Sequence, residues 1–67
     1  MSAPKYPDID VQLSDADGNS MSIVARVSKA LRRNGVSAEE IDAFRKEALS
    51  GDYDNVLQTA MRWVETS

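Results

Sequence analysis

Polar and apolar residues alternate near the start of this chain, and after a turn-rich break the apolar residues recur every three or four positions. Ile9, Val11 and Leu13 are interleaved with Asp8, Asp10, Gln12 and Ser14. A period of two places the three aliphatic side chains on one side of an extended backbone, which predicts a half-buried strand over about residues 8–14. From Ser20 the period lengthens. Ile23, Val24, Val27, Ala30 and Leu31 fall on one helical face, with Arg26, Lys29 and Arg33 opposite. A second apolar face is formed by Ala38, Ile41, Phe44, Ala48 and Leu49. A third is formed by Tyr53, Val56, Leu57, Ala60, Met61 and Val64, with Trp63 at its margin. Helices are therefore predicted over about residues 20–34, 38–50 and 53–65.

Punctuation between these segments supports the division. Asn19 or Ser20 can cap the first helix, and Gly35 can take the left-handed position that ends it. Ser37 followed by Glu40 is a capping-box pattern, Gly51 closes the second helix, and Asp52 caps the third. Asp15-Ala16-Asp17-Gly18-Asn19 reads as a turn. Residues 1–7, with Pro4 and Pro7, read as a flexible lead-in. The predicted fold is mainly α, a small α+β domain: one N-terminal β-strand followed by a three-helix bundle, within residues 8–67.

Composition narrows the chemistry. With 67 residues, no cysteine and no histidine, the chain has neither disulfides nor the usual ligands and bases of metal and hydrolytic chemistry. The expectation is a non-enzymatic protein with no cofactor and no metal. Asp52 with Asp54 is the one carboxylate pair that an enzymatic reading would use. The net charge of -3 argues against general phosphate-backbone binding. No apolar run approaches the roughly 20 residues that span a bilayer, and Met1–Lys5 lacks the apolar core of an export signal. A cytoplasmic protein without a membrane segment is expected. The hydrophobic fraction of 42% is ordinary for a folded chain and argues against disorder.

Several constellations invite a functional reading beside a plainer one. Asp15-x-Asp17-x-Asn19 has the opening spacing of a calcium loop, but Ser20 and Arg26 stand where glycine and a bidentate glutamate belong, so a turn is expected. Arg26, Lys29, Arg32 and Arg33 could form an acid-binding face, or merely a solvated one whose last charges suit the helix dipole. The second and third helices could imitate a helix-turn-helix, yet the exposed face predicted for the third (Asp54, Asn55, Gln58, Thr59, Arg62 and Glu65) carries more acid than base. Tyr53 and Trp63 could close the core edge or anchor a partner. The lone strand needs something to pair with. That is either the chain's own Trp63-Val64-Glu65-Thr66, a second copy or another protein. Self-association through Ile9, Val11 and Leu13, giving a homodimer, is the expectation carried forward.

Asp17-Gly18-Asn19, Ala30-Leu31-Arg32-x-x-Gly35-Val36, Glu47-Ala48-x-x-Gly51-Asp52-Tyr53-Asp54 and Trp63-Val64 resemble a group of short, uncharacterised bacterial and bacteriophage proteins. That resemblance implies a bacterial or phage origin and supplies no catalytic residues. Asn34-Gly35-Val36-Ser37 and Ala60-Met61-Arg62-Trp63-Val64 are also similar to ubiquitin-associated-type three-helix domains, with Val36 where those have an aromatic residue. This second likeness implies a compact helical arrangement that binds other proteins. The expected function is a small protein-interaction or regulatory module, phage- or prophage-encoded and acting on a host protein. Candidate partner-binding residues are Arg26, Lys29, Arg33, Tyr53 and Trp63. The alternative is a nucleic-acid-associated regulator using the basic face of the first helix.

Overall fold

Strand β1 (Tyr6–Val11) leads into three helices, α1 (Ser20–Arg33), α2 (Ala38–Ala48) and α3 (Tyr53–Trp63), and the chain closes with strand β2 (Val64–Thr66). This computed structural model describes residues 3–13 and 19–66. The turn expected at Asp15–Gly18, and Ser14 at the end of the predicted strand, lie outside the described residues.

The two strands form a parallel two-stranded sheet, with Tyr6 opposite Val64, Asp10 opposite Glu65 and Val11 opposite Thr66, and an irregularity between Tyr6 and Asp10. Parallel neighbours need a long crossover, and here all three helices supply it. The strand's partner is therefore the chain's own end. β1 also starts two residues earlier than its alternation suggested, taking in Tyr6 and Pro7. The Lys5 backbone N–H donates to the Arg62 carbonyl at 2.9 Å, so pairing begins before the strand proper.

Each helix start is held by the residue expected to cap it. The Asn19 side chain accepts from the Met21 N–H at 2.8 Å, Ser37 from Glu40 at 3.3 Å, and Asp52 from Asn55 at 3.0 Å. Gly35 sits at φ 81°, in the left-handed region. Its N–H bonds the Arg32 carbonyl and the Val36 N–H bonds that of Leu31. That is a Schellman closure, and it tucks Val36 against the core.

Gly51 has a different reason from the one its spacing suggested, since Gly35 is the glycine with positive φ among the described residues. A Cβ at Gly51 would lie 2.9 Å from Asn55 Cβ. The glycine makes room for the Asn55 amide, which donates to the Glu47 and Ala48 carbonyls at 2.9 and 3.1 Å. Two carbonyls at the end of α2 are thereby satisfied from the first turn of α3.

The core joins Ile9 and Val11 of β1 to Ile23, Val24, Val27 and Leu31 of α1, Ile41, Phe44 and Ala48 of α2, and Val56, Ala60 and Trp63 of α3, with Val64 of β2. Leu13 packs against its edge. The apolar stripes are narrower than the sequence suggested: Leu49, Tyr53 and Met61 are exposed. Thr59, expected on the outer face of α3, is fully buried, with its hydroxyl accepting from Arg62 Nη2 at 3.2 Å.

Candidate interaction surface

Helix α1 carries four cations and no carboxylate, although the chain as a whole has 11 acidic residues against 8 basic ones. Its buried positions, Ile23, Val24, Val27 and Leu31, commit one face to the core and turn Arg26, Lys29, Arg32 and Arg33 outward. Arg26, Lys29 and Arg33 line a hollow of about 550 Å³ between α1 and β1, with Asp10, Val11 and Gln12 on the strand side. Arg26 Nη1 donates to the Gln12 carbonyl at 3.1 Å, which fixes the guanidinium over the strand's end.

A second, smaller hollow of about 280 Å³ lies on the other flank of α1, where Lys29 and Arg32 meet Arg45 of α2. Lys29 lines both hollows, so the positive charge runs continuously across the helix. Elsewhere the cations are paired. Lys46 binds Asp42 at 3.2 Å, Arg62 binds Glu47 at 3.1 Å, and Lys5 binds Glu40. Lys29, Arg32, Arg33 and Arg45 form no salt bridge among the described residues. Arg45 was not singled out by sequence reasoning. Its position in the last turn of α2 shows nothing until that helix is laid against α1.

Trp63 is not presented to a partner. It is 7% exposed, with Phe44 edge-on at 5.5 Å between ring centroids, Tyr6 at 6.0 Å, and the Lys5 ammonium 4.4 Å above the indole. Its surface is already spent on the core and on residues 5 and 6. Tyr53 is exposed at the start of α3 and lines neither basic hollow. Ile9 and Val11 are buried in the core, so these side chains are not available to a second copy, and β2 takes one of the two edges of their strand. The Asp52 side chain is engaged as a helix cap, and Asp54 lies in the first turn of α3, where its charge suits the helix dipole.

Lys5, Tyr6 and Glu40 form a strap from the head of β1 to the first turn of α2. Sequence spacing made Glu40 half of a capping box, but its carboxylate turns away, accepting the Tyr6 hydroxyl at 3.0 Å and pairing with Lys5. The Lys5 and Tyr6 hydrogen bonds hold the Glu40 carboxyl below its ordinary 4.5. The bond to Glu40 raises Lys5, while burial and then that same bond raise Tyr6. A depressed carboxylate stabilises the fold above its unfolded pKa and loses that contribution as pH falls through its folded one. Urea midpoints of the wild type and Glu40→Gln are accordingly expected to differ at neutral pH and converge as pH drops through and below 4.5. A gap that stays constant across that range would show that the strap is not electrostatic.

Among the described residues there is no group of three or more carboxylates placed to hold a metal ion. No helix of the described residues is long and apolar enough to cross a membrane. Comparison with protein families, curated proteins and solved structures finds no match to this chain.

Proposed function

We propose that this protein is a small non-enzymatic interaction module that docks on an acidic surface of a partner protein through the basic face of α1. One observation carries the reading. Five of the chain's eight cations (Arg26, Lys29, Arg32, Arg33 and Arg45) gather on α1 and the adjoining turn of α2, and none of the five has a salt-bridge partner among the described residues. An acidic chain has carboxylates to spare, so a patch left this positive is suited to a partner of opposite charge. The resemblance of its motifs to short bacterial and bacteriophage proteins would imply a host protein as that partner. A nucleic acid is the competing ligand for the same face, and the long-range repulsion from a net charge of -3 applies to either polyanion.

The test compares the wild type with the triple variant Arg26→Glu, Lys29→Glu, Arg33→Glu against two fluorescent probes at low salt, a polyglutamate peptide and a short DNA duplex. Polyglutamate is expected to bind, to weaken as salt screens the charges, and to lose at least about tenfold in affinity with the variant. Tighter binding of the duplex would move the assignment to nucleic acid. No binding of either probe would remove the role of this face.

A further inference from the structure

Arg32 and Arg45 stand at the junction of two adjoining hollows in the groove between α1 and α2. The hollow of about 280 Å³ continues from them towards Met21, Val24 and Ala25. The other, of about 330 Å³, continues towards Val36, Ala38 and Ile41. Each helix contributes one stripe. On α1 the positions are 21, 24, 25, 28, 29 and 32, and on α2 they are 38, 41, 42 and 45. These are the spacings of single helical faces, so the groove follows from how the two helices lie together.

Three details give the groove a ligand chemistry. Two guanidiniums share its middle without a carboxylate partner among the described residues, and Asp42, the acid in its wall, is already held by Lys46. Two like charges that line the same hollows favour an anion between them. Met21, at 53% exposure, leaves a flexible apolar side chain at one end, of the kind adaptable binding surfaces use. The Ser28 hydroxyl in the same wall is buried with no hydrogen-bond partner among the described residues, so it has a donor to give when its side chain rotates.

We infer that this groove binds a segment of the partner protein that carries a carboxylate between two apolar side chains. The carboxylate sits between Arg32 and Arg45, where a planar guanidinium can grip both oxygens. One apolar side chain rests on Met21 and Ala25, and the other on Val36 and Ala38. This deepens the proposed docking role by placing its anchor in the α1–α2 groove rather than beside β1.

A random peptide library displayed on phage and selected on the full-length chain tests it. Expected are enriched sequences with Asp or Glu flanked by Leu, Phe or Met. Binding of the best synthetic peptide should fall by at least about tenfold in Arg32→Gln/Arg45→Gln, with an unchanged circular dichroism melt, and should stay within about twofold of wild type in Arg26→Gln/Arg33→Gln. Met21→Ala should weaken the same peptide with both arginines in place. Loss confined to Arg26→Gln/Arg33→Gln would overturn the groove while leaving the basic-face reading intact. Enrichment of sequences without acid, or none, would overturn the inference, and the polyglutamate titration would then judge the wider reading separately. Inorganic phosphate displacing the peptide at a concentration below that needed for the peptide itself would reassign the arginine pair to a phosphate.

Discussion

Replacing Trp63 with alanine is expected to cost about 3–5 kcal/mol of stability, the usual range for emptying a buried aromatic site. The indole is 7% exposed and is enclosed by Phe44, Tyr6 and the Lys5 ammonium, which come from α2 and from the head of the chain. These neighbours belong to separate elements held by their own backbone bonds, so they cannot easily collapse into the space. At roughly 0.05–0.15 kcal/mol per residue, a chain of this length has about 3–10 kcal/mol in all. One substitution therefore removes much of it and lowers the Tm by roughly 12–40 °C. Trp63→Phe keeps an aromatic edge beside Phe44 and should recover most of the loss. A melt of Trp63→Ala within a few degrees of wild type would mean that the ring is not the keystone between the sheet and α2.

Val64→Asp is expected to be nearly as damaging, for a different reason. Val64 is 1% exposed, opens β2 and stands opposite Tyr6 in the parallel register. Its backbone N–H also closes α3 on the Ala60 carbonyl. Losing the buried isopropyl group removes about 1.5–3 kcal/mol, and a carboxyl group there adds the cost of desolvating it or of taking up a proton. The effect should spread to the other end of the chain, because the edge of β1 relies on β2. Hydrogen exchange would show it as lost protection of the β1 amides that face β2. Glu65→Ala is the control, since Glu65 is exposed and its replacement should change stability by no more than about 0.5 kcal/mol. Intact β1 protection in Val64→Asp would show that the strand does not need its parallel neighbour.

Features with local causes are legible in the residue types, and those set by distant contacts are not. The caps at Asn19, Ser37 and Asp52 and the turn at Gly35 depend on hydrogen bonds within a few residues, so the residue types announce them. Gly51 was legible as a break but not in its cause, which is the space Asn55 needs to reach back across the turn. Glu40 fits a capping box by spacing, yet Lys5 and Tyr6, more than thirty positions away, draw its carboxylate elsewhere. Thr59 looked like surface by composition and is buried, because α1, α2 and β2 all pack against α3.

The order of elements, one strand and then three helices, was in the sequence alone. Apolar periodicity and capping chemistry operate over single turns, and no distant contact is needed to express them. Tertiary structure decided the rest. β2 is three residues, too short for alternation to declare itself, and only the return of α3 to the head of the chain makes it a strand. Trp63, marginal on a helical wheel, became central because that return places residues 5 and 6 over it. Arg45 joined the basic face because α2 lies against α1. Long-range pairing is set by which surfaces meet, a property of the packed chain that no local window contains.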